Sequence, residues 1–323
     1  MSTQSKLLPA FAAGFLAAGL AWAGVLEFIS DKPVPNAVFV QSILDLKTQA
    51  LRKIKAKTKM IIVGGSSVAF GIDSEEIQKS SGMEVVNFGC VAGLGPEMIL
   101  EPLKPSLSEG DIVLLCWEYG LYRFDRTDTN ISYLNLLFGQ QSTLRQTYPL
   151  EDKLKLKMTI PASHVRESFA HALNPYGNLD HYRCVWNFDS RGNHRSNQEQ
   201  IITENELKKH PLGSLLTETV ITKDVNEILS EFVRYCRERE VKVLASWPNT
   251  FAHPNYFDNP TVKANFALIT NYWKSLEVPV VGKPSDAMLA AEFFHDTYYH
   301  LNSKGVAVRT STLIKNLKPW LAK

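Results

Sequence analysis

Two short stretches, far apart in the chain, carry side chains able to cooperate in nucleophilic catalysis. The first is Gly65-Ser66-Ser67-Val68-Ala69-Phe70-Gly71, which follows the apolar run Met60 to Val63. A β-branched run of that kind reads as a buried parallel strand, and the glycines break it. Gly71, Ile72 and Asp73 then lead into Ser74-Glu75-Glu76-Ile77-Gln78, a helix start with acidic residues in its first turn. This arrangement sets a serine hydroxyl at the carboxyl edge of a sheet, where open α/β sheets carry their chemistry. The spacing G-[D/S]-S-x-x-x-G selects Ser67. A serine there can attack a carbonyl, and its own backbone N–H can help hold the oxyanion that forms. The same residues also suit a tight turn with a helix cap.

The second stretch runs from Phe293 to Gly305 and holds Asp296 and His300, four residues apart on a loop ahead of the last helix. That spacing lets a carboxylate orient an imidazole, as a general base requires. His295 neighbours Asp296, but His-Asp-x-x-x-His is no zinc-type cluster unless distant ligands join, so no metal is expected. Glu118 and Tyr119, in Trp117-Glu118-Tyr119-Gly120, follow a third strand. Glu118 is read either as a carboxylate held by local hydrogen bonds or, with Tyr119, as a polar wall of a substrate pocket. His253 either lines the site or is a surface histidine. Val63-Gly64-Gly65-Ser66-Ser67 lacks the G-x-G-x-x-G spacing of a dinucleotide site.

The elements that must position these residues alternate between strands and helices. Strands are expected at Lys59 to Val63, Glu84 to Phe88, Asp111 to Trp117, Val241 to Trp247 and Val278 to Gly282, the last at an edge because of Pro279. Helices are expected from Pro96 to Leu103, Asp224 to Arg239, Pro260 to Leu276 and Ser303 to Leu317. Such alternation argues for an α/β fold with a parallel sheet and helices on both faces. It stops between about 125 and 221, a polar and aromatic insertion too long for a plain loop and read as a lid or substrate wall. The three parts expected are therefore 1–30, an N-terminal anchor or signal; 31–58, a linker and an amphipathic helix; and 59–323, the α/β domain.

The 323 residues, 45% of them hydrophobic, suffice for a large core, and the net charge of +2 gives no sign of a nucleic-acid surface. The basic run Arg52 to Lys59 reads as a solvated helix face. Cys90, Cys116, Cys184 and Cys236 show no CxxC, and Cys90 and Cys116 read as buried free thiols. Leu7 to Leu26 is uncharged and long enough to span a bilayer, while Ala21-Trp22-Ala23 also fits a signal-peptidase site. Signal anchor and cleaved signal both send the rest of the chain out of the cytoplasm, to a periplasmic or extracellular location.

Taken together, the paired motifs resemble those of the SGNH/GDSL hydrolases, in particular a membrane-anchored, extracytoplasmic branch with a C-terminal D-x-x-x-H-L-N-x-x-G. The resemblance covers about Lys59 to Tyr122 and Val241 to the end, not the insertion. It implies a three-layer sandwich with a flavodoxin-like parallel sheet, Ser67 as nucleophile, His300 as base and Asp296 as its orienting carboxylate. Asn87-Phe88-Gly89 is similar to the family's second block, which makes Gly89 or Gly93 a further oxyanion donor beside Ser67. The chain departs from the family at Ser66, where Asp is usual, and at Trp117 to Gly120, where a G-x-N-D block commonly supplies an Asn to the oxyanion hole.

The resemblance implies a serine esterase or O-acyltransferase acting on an acylated, O-acetylated cell-surface or exported polysaccharide, without a cofactor. Its partners would be the carbohydrate or other ester substrate, the membrane through the N-terminal helix, and a membrane-bound acyltransferase. The rival expectation is a weakly active or inactive SGNH-fold protein that binds or assembles components of an envelope polysaccharide pathway. The Trp117-Glu118-Tyr119 replacement favours the rival, because an ionised Glu cannot donate a hydrogen bond.

Overall fold

The computed structural model describes residues 4–127, 130–173, 187–195, 197 and 199–321, without the side chains of 4–8 and 171. Cys184 and part of the insertion lie outside the described residues. The chain divides into two compact units, Met1–Gln41 with Thr127–Arg183 and Ser42–Arg126 with Cys184–Lys323. The insertion is thus not one body. Its first part shares a unit with the N-terminal segment, and its remainder belongs to the unit that holds the candidate residues.

In the first unit, α1 (Gln4–Ile29) contains the stretch Pro9–Ile29, long and apolar enough for a membrane anchor or a signal sequence. Most of it is exposed, but Leu26 and Ile29 in its last turn are buried. The helices α6 (Ile131–Gly139), α7 (Ser142–Thr147), α8 (Leu150–Met158) and α9 (Ala162–Leu173) belong to the same unit. Phe138 O accepts from Asp31 N at 2.7 Å, Arg145 pairs with Asp31, and Lys157 pairs with Glu27 at 3.0 Å. A run of apolar residues in α6, Leu134, Leu136, Leu137 and Phe138, is buried, and this is why the segment folds as helices rather than as a loop.

Between the units' boundaries runs α2 (Pro35–Lys53), in which Val40, Ile43, Leu44, Ala50 and Leu51 are buried as the helical spacing requires. Leu46 is exposed and Lys47 is buried instead. The Lys47 ammonium reaches the carbonyls of Asn87 (3.2 Å) and Gly192 (2.5 Å) and sits 4.1 Å over the Phe188 ring. A buried cation is tolerated there because it is hydrogen-bonded and faces a π-system.

The second unit is built on a parallel sheet of β1 (Lys59–Gly64), β2 (Glu84–Gly89), β3 (Ile112–Cys116), β4 (Lys242–Ser246) and β6 (Val280–Val281), in the order β2-β1-β3-β4-β6. β6 lies at an edge, as Pro279 requires. A small parallel pair joins β5 (Thr250–Phe251) to β7 (Met288–Leu289). On one face Met60, Ile62, Ile112, Leu114 and Leu244 pack with Ile77 and with Leu313 and Leu317. The alternate residues Ile61, Val63, Val86, Val113 and Leu115 are buried as well, so both faces are covered, and the strands read as continuous apolar runs. The helices of this unit are α3 (Ser66–Ala69), α4 (Ser74–Ser81), α5 (Gly95–Leu100), α10 (Glu204–Lys209), α11 (Gly213–Leu216), α12 (Lys223–Arg237), α13 (Pro254–Phe257), α14 (Pro260–Ser275) and α15 (Ser303–Leu321). Cys90 and Cys116 are buried free thiols pushed up to about 12 by burial.

The basic run is not a single helix face. α2 ends at Lys53, and Lys59 opens β1 with its ammonium 2.6 Å from Asp111. Asp111 also accepts from the backbone N–H of Lys59 and Ser108, each at 2.9 Å, and its side chain is wholly buried. Asp111→Ala leaves the buried Lys59 ammonium and backbone N–H without their partner. A loss of about 3–5 kcal/mol in urea unfolding is the expected outcome.

Candidate active site

The chain passes from β1 to β2 on one side and then to β3 on the other. The crevice of an order-reversing sheet therefore lies between the carboxyl ends of β1 and β3. Gly64 is level with Gly89 in β2 and with Cys116 in β3, so the residues after all three strands emerge at one edge. Ser67, on α3, leaves β1 here, and Glu118 leaves β3 here.

Glu118 reaches across to the serine turn. Its carboxylate accepts from Gly65 N at 2.9 Å and from Ser67 N at 2.8 Å. A Cβ on Gly65 would meet Glu118 Oε1 at 2.5 Å and Ala92 Cβ at 2.7 Å, so only glycine admits both neighbours. Glu118 is 2% exposed, and burial raises its pKa above the ordinary 4.5, against the opposing pull of the Ser67 and Gly65 N–H groups. Both readings of Glu118 from sequence were of a local or pocket-wall carboxylate. Its partners are instead the backbone of the serine turn itself.

Asn87 performs a matching role from β2. Its Nδ2 donates to Val68 O and Ile72 O, each at 2.9 Å, and its Oδ1 accepts from Gly89 N at 2.9 Å. The Ser67 and Gly89 N–H groups, two of the candidate oxyanion donors, are thus both occupied by side chains of the protein. Gly93 lies in the half-buried turn Ala92–Leu94, next to Gly65. Ser67 is 0% exposed, and its Oγ has no partner in hydrogen-bond geometry, although the hydroxyl is near enough to Glu118 to favour the carboxylate. The buried Tyr299 hydroxyl is likewise unpartnered and lies within electrostatic reach of Glu118. Two orphaned hydroxyls around a buried carboxyl are unusual in a purely structural site.

His300 and Asp296 come together as their spacing requires, with His300 Nδ1 2.8 Å from Asp296 Oδ1. The His300 side chain is 16% exposed and that of Asp296 37%. Burial pushes the Asp296 pKa up, but the His300 hydrogen bond and charge outweigh it, and the net shift is downward. The His300 ring stacks on Phe70 at 4.0 Å and 10°, three residues beyond Ser67, while no hydrogen bond joins His300 to Ser67 Oγ. His295 turns elsewhere and its Nδ1 donates to Glu199 O at 2.5 Å.

The loop is held against the serine turn by residues that sequence reading had not singled out. Asn249 Nδ2 donates to Tyr299 O, and Asn249 Oδ1 lies 2.0 Å from where a Cβ on Gly71 would stand. The His194 ring lies 4.2 Å from Phe70, tilted by 30°, so both His194 and His300 pack on that ring. Burial lowers the His194 pKa. Asn197 Nδ2 bonds both Phe70 O and Leu301 O. His194 and Asn197 belong to the part of the insertion from 187 to 197, which also meets β2, where Asn87 N donates to Arg191 O. That segment packs against Phe70 and Leu301, beside the candidate residues. Its only sequence signal was the loop-like run Asn187 to Asn193.

His253 is not a surface residue. It is 4% exposed, caps α13 by accepting from Asn255 N, and its Nε2 meets Lys208 O at 3.0 Å. Its hydrogen bonds serve the α13 turn and are not with the Ser67 or His300 stretch. Tyr119 is fully buried beside Phe266 rather than lining an open wall.

Gly71→Ala places a Cβ 2.0 Å from Asn249 Oδ1 and 2.3 Å from Ser67 O. Overpacking of this kind costs about 1–3 kcal/mol. A fall in the thermal unfolding midpoint, greater than for Gly120→Ala, where a Cβ meets open space, is the expected result.

No model of a known protein family matches the chain. No curated protein matches it either.

Proposed function

We propose that this chain is a membrane-tethered, extracytoplasmic serine enzyme of the SGNH type, with a three-layer α/β sandwich, that hydrolyses or transfers an acyl group. One observation carries the reading. An Asp296–His300 pair is stacked on Phe70 of the same turn that bears Ser67, at the switch point of the sheet. In the reaction Ser67 Oγ attacks the acyl carbonyl, His300 takes the hydroxyl proton, and Asp296 holds the imidazolium. The leaving alcohol takes that proton, and water or a sugar hydroxyl then accepts the acyl group from Ser67. The acylated polysaccharide and the membrane-bound acyltransferase partner follow from the resemblance alone.

Two conditions follow from the geometry. Ser67 is closed to solvent, so the groups that cover it have to move before a substrate is admitted. Glu118 also stands where a donor is needed. Burial favours its neutral form, and a neutral carboxyl carries an O–H that can serve the oxyanion as an amide would. In this role Glu118 replaces the family's Asn.

A second reading, a non-catalytic binding or assembly protein of an envelope pathway, is favoured by the same residues. The N–H groups of Gly65, Ser67 and Gly89 are filled by Glu118 and Asn87, as in a turn built only for stability. Labelling of the full chain by a fluorophosphonate probe separates the two. Labelling lost in Ser67→Ala and His300→Ala supports the enzyme, and an intact protein that never labels overturns it.

A further inference from the structure

The helix α8 (Leu150–Met158) has an apolar face that none of the described residues of its unit covers. Leu150 is 72% exposed, Leu154 55% and Met158 83%, while Leu156 is buried on the opposite side. The three exposed residues stand at i, i+4 and i+8, which lines them along one side of the helix. Lysines occupy the intervening positions 153, 155 and 157. Glu151 flanks the stripe too, and the ammonium groups meet Gln146 O, Glu151 and Glu27 in turn. An exposed apolar stripe with charged neighbours whose alkyl stems run along it is the pattern of a helix lying in a membrane interface.

The position of α8 in its unit supplies the occupant. Twenty-one apolar residues, Pro9–Ile29, match the thickness of a bilayer core at about 1.5 Å per residue. A bilayer spanned by this stretch ends near the last turn of α1. Lys157, in the last turn of α8, pairs there with Glu27 at 3.0 Å, and Phe169 of α9 meets Phe28 at ring centroids 5.3 Å apart. The exposed stripe is therefore tied to the depth at which headgroups meet hydrocarbon. Exposed Phe11, Phe15, Leu16 and Leu20 continue the apolar surface along α1.

We propose that α8 is a second membrane contact, inserting Leu150, Leu154 and Met158 into the interface of the bilayer that α1 enters. This rests on the reading of α1 as a retained anchor. The contact fixes the rotation and tilt of the first unit on the membrane, which a single spanning helix cannot do.

The test uses the full chain in vesicles of phosphatidylcholine with phosphatidylglycerol. A photoreactive benzoylphenylalanine replaces Leu154 in one variant and Leu16 in another, and adducts are identified by mass after irradiation. Lipid adducts at both positions are expected. Their loss at 154 but not at 16 is expected when Leu150→Asp and Met158→Asp are added, two exposed changes that leave the core intact. Lipid adducts at 16 with none at 154 overturn the second contact while keeping the anchor. Adducts at 154 to another protein chain mean that a second copy covers α8, which also overturns it. No lipid adduct at 16 removes the anchor reading and the proposal together.

Discussion

Ser67→Ala is expected to abolish fluorophosphonate labelling altogether, and His300→Ala to slow it by roughly 10⁶-fold. The asymmetry has a physical origin. The probe forms a covalent bond to Oγ, so removing that atom leaves nothing to label. Removing the imidazole leaves the hydroxyl but takes away the base that makes it a nucleophile at neutral pH. Asp296 holds His300 through Nδ1 at 2.8 Å, which leaves Nε2 as the nitrogen available to accept the proton. A His300→Ala protein that labels at the parent rate would sink the assignment of His300. A Ser67→Ala protein that still labels would move the nucleophile elsewhere. Far-UV circular dichroism on both variants guards against loss of fold, and Ser67→Ala deletes only one unpartnered oxygen.

The second large effect concerns Glu118. Glu118→Ala strands the N–H groups of Gly65 and Ser67, both buried, at about 1–3 kcal/mol each. Glu118→Gln keeps an acceptor oxygen and adds a permanent N–H donor, so it should hold the turn far better. The sign of the pH dependence follows from the raised pKa of Glu118. Below its ordinary value of 4.5 the carboxyl is neutral in both folded and unfolded chains, and its contribution to stability is fully present. As pH rises from there, the unfolded chain releases the proton first, and stability is lost until the higher folded pKa is passed. The wild-type chain should therefore lose stability to urea across this window, and Glu118→Gln should remove that part of the slope. If neutral Glu118 serves the oxyanion, labelling of the wild type falls as Glu118 ionises, and labelling of E118Q does not. Labelling that declines equally in both proteins would remove Glu118 from that role.

The local elements were legible because each had a local cause. β-branched runs gave the five strands of the main sheet. Asp73, Thr222 and Asn259 cap α4, α12 and α14 with their own side chains, close to the starts read from sequence. Parts of the His300 motif turn out to be architectural. Leu301 is wholly buried, Asn302 Oδ1 accepts from Gly305 N at 3.0 Å, and a Cβ on Gly305 would lie 2.3 Å from Phe293 O. Those residues hold the loop that carries His300. The division of the insertion between two units was not legible, because its polarity and prolines carry no record of which unit each part packs into.

What the sequence determined by itself was a parallel α/β core, an apolar N-terminal helix, a serine after the first strand and an Asp296–His300 pair. Each follows from short-range periodicity or spacing, which the backbone converts directly into structure. Only the tertiary structure decided what surrounds Ser67. Glu118 is brought onto its N–H from β3, Asn87 onto Gly89 from within β2, and His194 onto Phe70 from the insertion. Except for Asn87, these partners lie far along the chain from the groups they meet. Their pairing is set by strand order and by the cost of leaving buried polar groups unsatisfied, neither of which leaves a periodic trace in sequence.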